Sequence, residues 1–170
     1  HLTEGKDYSI RDLLSYMIRY SDNDATVLLQ NHANATIFSQ LFMDLKVPVP
    51  DFSKEYFITP VDMAKFFRVL YNGTYLSEPN SELALKMLST SQFSKGIVAG
   101  LDQPLTVAHK FGERVIGNTA QLHEFGIVYC GNQPYLLGVM ASGSHLDELS
   151  EVIRTISQKS FQFYRPIAGI

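Results

Sequence analysis

The sequence predicts an α/β chain of the α+β kind: helices first, then an antiparallel sheet, then one closing helix. Three observations predict it. Apolar residues recur at helical spacing through most of the first half of the chain. After Gly100 the period shortens to that of strands. From Leu146 the helical period returns, with Leu149, Val152, Ile153 and Ile156 on one side.

Each element has a local reason. Ser9-Ile10-Arg11-Asp12 has the form of a capping box, and Leu13, Leu14, Met17 and Ile18 follow at helical spacing, so a first helix runs to about Tyr20. A second helix carries Ala25, Leu28 and Leu29, and a third spans 35–45. Pro48 and Pro50 break that pattern and start an extended loop over 47–58. Thr59-Pro60-Val61-Asp62 restarts a helix with an N-cap threonine and a proline at the first position; Met63, Phe66, Phe67 and Leu70 form its apolar face, and Gly73 stops it. A further helix is expected over 79–88. Strands are expected over 105–110, 122–130 and 135–142, the last two joined through Gly131-Asn132-Gln133-Pro134, and the closing helix over 146–164. The whole reads as one domain over 1–170, mostly helical to about residue 104 and then sheet and closing helix.

Composition narrows the function classes. The chain has 170 residues, 45% of them hydrophobic, enough for a real core. A net charge of −3 and the lack of any basic run give no reason to expect a nucleic-acid partner or an anionic membrane surface. The longest apolar runs are too short to span a bilayer. The single cysteine, Cys130, allows neither an internal disulfide nor a cysteine-based zinc site, and the histidines have no metal-ligand spacing, so no metal and no other cofactor is expected.

Two short motifs carry chemistry. Ser21-Asp22-Asn23 sits between two apolar helical stretches. Ser, Asp and Asn are also ordinary residues for a helix stop followed by an N-cap. Cleavage of an amide needs a proton delivered to the departing nitrogen, and a hydroxyl bonded to a lysine relays one, which suits Ser21. An amide side chain binds a substrate carbonyl, which suits Asn23. Asp22 is expected to hold the turn. His109-Lys110-Phe111-Gly112 ends the first predicted strand, where a solvated lysine is the ordinary reading. Lys110 can also support the relay at Ser21 electrostatically.

In this order and on these elements, the two motifs resemble the second and third motifs of the penicillin-recognising serine hydrolases, the class A β-lactamases and penicillin-binding proteins. The stretch MIRYSDNDATVLL and the segment with Thr59, Pro60, Met63 and Ala64 carry the same likeness. The resemblance implies a β-lactamase/transpeptidase-like fold with an all-helical lobe beside the sheet and the site between them. It implies an acyl-serine mechanism on a β-lactam or a D-Ala-D-Ala-type amide, a small-molecule or peptide substrate, and work outside the cytoplasm. Ser21, Asn23 and Lys110 take the catalytic roles. Gly112 leaves room for substrate along the strand, the Glu113 backbone N–H supplies half of an oxyanion hole, and Phe111 stands where a hydroxyl residue usually helps bind a carboxylate. Arg114 offers a replacement for that hydroxyl, or is an exposed arginine, and His109 lies next to the supposed site or is a spacer.

Two departures shape the expectation. The nucleophile motif Ser-x-x-Lys does not occur: only Thr3-Glu4-Gly5-Lys6 places a hydroxyl three residues before a lysine, and its glycine makes a poor helix start. The first strands and the nucleophile helix are therefore expected to be missing from this chain, which alone would not acylate. A companion N-terminal fragment or an oligomer contact would then cover the exposed apolar surface. The 47–58 loop also lacks the Glu-x-x-Leu-Asn pattern of a deacylating enzyme, with Glu55 as its one glutamate. The rivals are a D-alanyl-D-alanine carboxypeptidase or transpeptidase that deacylates penicillin slowly, and a non-catalytic β-lactamase-like binding module.

Overall fold

Helix caps set the first half of the chain. A computed structural model describes residues 1–51 and 53–168; Phe52, inside the predicted 47–58 loop, lies outside the described residues, as does the predicted end at 169–170. Helix α1 (Ile10–Tyr20) opens on the expected capping box, in which Ser9 and Asp12 each accept the other's backbone N–H. Helix α2 (Asn23–His32) is capped by Asp22, whose Oδ1 accepts from the Ala25 N–H at 2.8 Å. Helix α3 (Ala35–Asp44) is capped by Asn34. Thr59 and Pro60 start α4 (Pro60–Tyr71), and α5 (Glu78–Leu88) begins one residue ahead of the expected start. A single 3-10 turn at Val98–Gly100, not anticipated from the sequence, precedes the sheet.

Three antiparallel strands follow in the order β1-β2-β3: β1 (Val107–Ile116), β2 (Thr119–Val128) and β3 (Tyr135–Gly143). The first strand runs six residues past its expected end, because residues 111–116 pair with 119–124 in a hairpin. Gly117, at φ 58°, and Asn118 form the tight connection. Lys110 therefore sits in mid-strand, paired with Phe125, rather than at a strand end. Helix α6 (Leu146–Ala168) closes the chain, extending past the expected residue 164.

The strand period of two sorts side chains into two cores. One face of the sheet carries Val107, Leu122, Val128, Tyr135 and Val139 and packs on Leu149, Ile153 and Phe161 of α6. Cys130, just after β2, is fully buried in this core. The other face carries Ala108, Phe125 and Ile127 and packs on Phe67 of α4 and Leu88 of α5, with Phe67 and Phe125 stacked at 6.0 Å. The sheet thus separates the closing helix from the helical lobe, and β1 is an edge strand running past the lobe.

Candidate functional site

The seam between α1 and β1 brings the two motifs together. Helix α1 ends on Ser21 in the left-handed region, at φ 53° and ψ 39°. Its N–H still caps the helix by donating to the Tyr16 carbonyl. A side chain other than Gly or Asn pays roughly 1–2 kcal/mol for that conformation. The bend turns the Ser21 hydroxyl toward β1, where Lys110 Nζ donates to Ser21 Oγ at 2.7 Å across 89 residues of sequence. Lys110 Nζ also donates to the Phe111 carbonyl, and it lies 4.9 Å from the centroid of the Phe111 ring. Burial with no carboxylate partner pushes the Lys110 pKa down from 10.5 to about 8.

The remaining predicted residues divide. Asn23 opens α2 at an exposed position two residues from Ser21. Gly112 has open space where a side chain would begin. Glu113 is exposed and stands between two clefts. The first cleft, about 420 Å³, runs from Gly112, Glu113 and Arg114 to Tyr56, Phe57 and Ile58. The second, about 500 Å³, is lined by Phe93 and Phe111 and reaches Arg19 and Lys95.

Arg114 lines the first cleft beside Gly112 and Glu113, whereas His109 turns away from the group. The Arg114 guanidinium is already engaged, with Nη2 on Glu55 Oε1 at 2.8 Å and Nε on Gln121 Oε1 at 2.7 Å. His109 points to the α6 face of β1 and is buried there, bonded through Nδ1 to Glu124 Oε1 at 2.7 Å. It therefore does not line a substrate path; alternation along β1 places it opposite Lys110.

That buried pair and its surroundings escape sequence reasoning. Glu124 is fully buried, and its other oxygen accepts the Ile97 N–H at 2.8 Å. The Ile97 carbonyl in turn accepts from Ser157 Oγ of α6 at 2.7 Å. Both backbone groups of the fully buried Ile97 are thus satisfied by side chains. A Cβ on Gly96 would lie 1.9 Å from Glu124 Oε2, so the segment passes this close only because residue 96 has no side chain. The pinned segment carries Phe93, whose ring stacks on Phe111 at 4.5 Å and 16°. Among the described residues no three His, Cys, Asp or Glu side chains converge on a metal-sized site, and no helix is long and apolar enough to cross a membrane.

Comparison with known proteins agrees with this architecture. Residues 1–164 match the family model described as Beta-lactamase enzyme family. Among solved structures, PBP-A is similar at 23% identity and a TM-score of 0.77, over 97% of this chain and 64% of that one. A variant of PBP-A, solved as an acyl-enzyme complex with penicillin G, matches equally well, over 98% and 65%. A class A beta-lactamase from Bacteroides cellulosilyticus matches at 15% identity and a TM-score of 0.81, over 96% and 67%. The chain spans about two thirds of the length of these structures. No curated protein matches by sequence.

Proposed function

Since this chain belongs to the beta-lactamase enzyme family, we propose that it supplies the proton relay and substrate-binding edge of a serine acyl-transfer site. The substrate is a β-lactam or a D-Ala-D-Ala-type amide. The nucleophilic serine comes from residues outside this sequence, in the same protein or in a companion fragment or subunit, and the protein acts outside the cytoplasm. One observation carries the reading: the bond from Lys110 Nζ to Ser21 Oγ, made by a partly desolvated lysine with a pKa of about 8.

The chemistry follows from that bond. The acyl carbon loses its bond to the departing nitrogen and gains one to the nucleophilic serine oxygen. Ser21 gives its hydroxyl proton to the nitrogen, and Lys110 refills it. The nucleophile's own proton passes to a base beside it, outside this sequence, so one proton is taken up there for the one that Lys110 gives. Lysine near pKa 8 is charged at neutral pH yet gives up its proton readily, which suits a donor behind a hydroxyl. Asn23 holds the substrate amide, and Gly112 lets the substrate backbone approach the β1 edge. The Glu113 N–H stabilises the oxyanion.

A specific observation favours a D,D-peptidase-like enzyme over a fast β-lactamase. Glu55, the one glutamate of the 47–58 loop, pairs with Arg114 at the surface and stands outside any Glu-x-x-Leu-Asn pattern, so no residue of the loop is built to activate a deacylating water. That PBP-A, in variant form, is known as a penicillin G acyl-enzyme accords with slow release. Intact-mass spectrometry of the full-length protein, before and after penicillin G, tests both points. A penicilloyl adduct that outlasts the incubation supports the reading. Rapid turnover without an adduct favours the β-lactamase, and no reaction at all leaves a binding module.

A further inference from the structure

Glu124 is fully buried, and the proposed reaction makes no use of its carboxylate. As a source of stability alone it is a costly choice, because apolar side chains of similar volume often serve a core as well as a buried ion pair does. Two glycines clear the space for it. A Cβ on Gly96 would overlap its Oε2, and a Cβ on Gly126 would come within 2.8 Å of the His109 Cβ.

The carboxylate joins the two sides of the relay. Lys110 comes on β1, and Ser21 comes on the end of α1. On the β1 side, Oε1 accepts from Nδ1 of His109, one neighbour of Lys110, at 2.7 Å. Glu124 also stands opposite Phe111, the other neighbour, whose carbonyl accepts from Lys110 Nζ. On the α1 side, Oε2 accepts from the Ile97 N–H at 2.8 Å. Earlier in the same segment the Gln92 N–H donates to the Arg19 carbonyl at 2.9 Å, at the end of α1 that leads into Ser21. Between these two bonds Phe93 stacks on Phe111 at 4.5 Å. The lysine stem is flexible, so Nζ keeps one geometry on Ser21 Oγ only while β1 and the end of α1 hold a fixed separation.

We infer that Glu124 is a positioning residue for the Lys110–Ser21 relay: one buried carboxylate bonds to the strand that carries Lys110 and to the segment that holds the end of α1, and so fixes the separation across which the two side chains meet. The inference rests on the acyl-transfer reading and adds to it a residue, remote from the substrate, on which the rate depends.

Acylation of the full-length protein by penicillin G, followed by intact mass at quenched times, tests this with two readings: the rate constant and the final adduct fraction. Glu124→Gln keeps both contacts, with Oε1 accepting from Ile97 and Nε2 donating to the other tautomer of His109. It should acylate within about three-fold of the wild type. Glu124→Leu fills the space without either contact and should lower the rate constant about 10–100-fold. A purely structural role would lower the adduct fraction and leave the rate constant of the folded molecules in place. Where Glu124→Leu does not fold, the strand arm alone carries the comparison: His109→Leu loses the bond, and His109→Asn returns an amide N–H near the Nδ1 position. His109→Leu should be the slower of the two by about ten-fold. Wild-type rates in folded Glu124→Leu or His109→Leu overturn the inference, and so does Glu124→Gln as slow as Glu124→Leu. If the wild type forms no adduct with penicillin G, the acyl-transfer reading falls and takes this inference with it; a reactive wild type matched by its leucine variants removes the inference alone.

Discussion

Lys110 loses part of its hydration on folding, and the cost appears in its titration. Below pH 8 the folded and unfolded chains both hold the proton, and the folded state carries the full desolvation penalty. Between 8 and 10.5 the unfolded chain still binds a proton that the folded chain has released, so stability rises with pH across that window. Chemical denaturation of wild type and Lys110→Met at intervals from pH 7 to 10.5 should show this rise in the wild type and its absence in the variant. Activity should move the other way, with acylation falling as pH climbs through about 8 and the relay loses its refilling proton. Lys110→Ala should lower the acylation rate about 10²–10³-fold with the fold intact, as measured by adduct formation alongside circular dichroism. Ser21 adds a second diagnostic. Ser21→Gly and Ser21→Ala both remove the relay hydroxyl, but only glycine relieves the left-handed backbone. The glycine variant should melt as the more stable of the two by about 1 kcal/mol.

Among the elements, the segment around Ile97 is the tightest meeting point: β1, β2 and α6 all bond to it or to its partners. Glu124→Ala strands His109 and the Ile97 N–H in the interior and should cost about 3–5 kcal/mol in urea unfolding. Gly96→Ala drives a methyl group into the Glu124 carboxylate and should cost about 1–3 kcal/mol. The double variant should cost less than the sum, because the carboxylate that resists the methyl is gone. Legibility in the sequence followed the range of the forces. The helices were readable because their caps are local: Ser9 with Asp12, Asn34, and Thr59 with Pro60. The end of β1 leaves no period in the sequence because Glu113, Arg114, Val115 and Ile116 are exposed, and their strand geometry comes from pairing with β2 rather than from burial. The one local mark of this hairpin is Gly117-Asn118 between two alternating runs. Once that hairpin is centred, His109 and Glu124 fall on one face, one diagonal step apart.

In the molecule as a whole, the site exists only where lobe and sheet meet. Ser21 and Lys110 were legible as motifs, since both match short patterns. The Glu55–Arg114 and Phe93–Phe111 contacts were not, since each joins an irregular loop to a strand and no local pattern marks the pair. Phe67 on α4 and Phe125 on β2 clamp the lobe to the sheet. Phe67→Ala should cost about 3–5 kcal/mol and lower helix and tyrosine signals in one transition, because neither side keeps its core without the other. Two separate transitions would show that lobe and sheet fold independently.

Cys130 gives this molecule a built-in clock. It is the only thiol in a chain without tryptophan, it is wholly enclosed beside α6, and burial holds its thiol above the usual range. An alkylating reagent reaches it only when the packing between sheet and closing helix opens. The rate of carbamidomethylation in native buffer therefore counts excursions of that packing directly, with no label introduced.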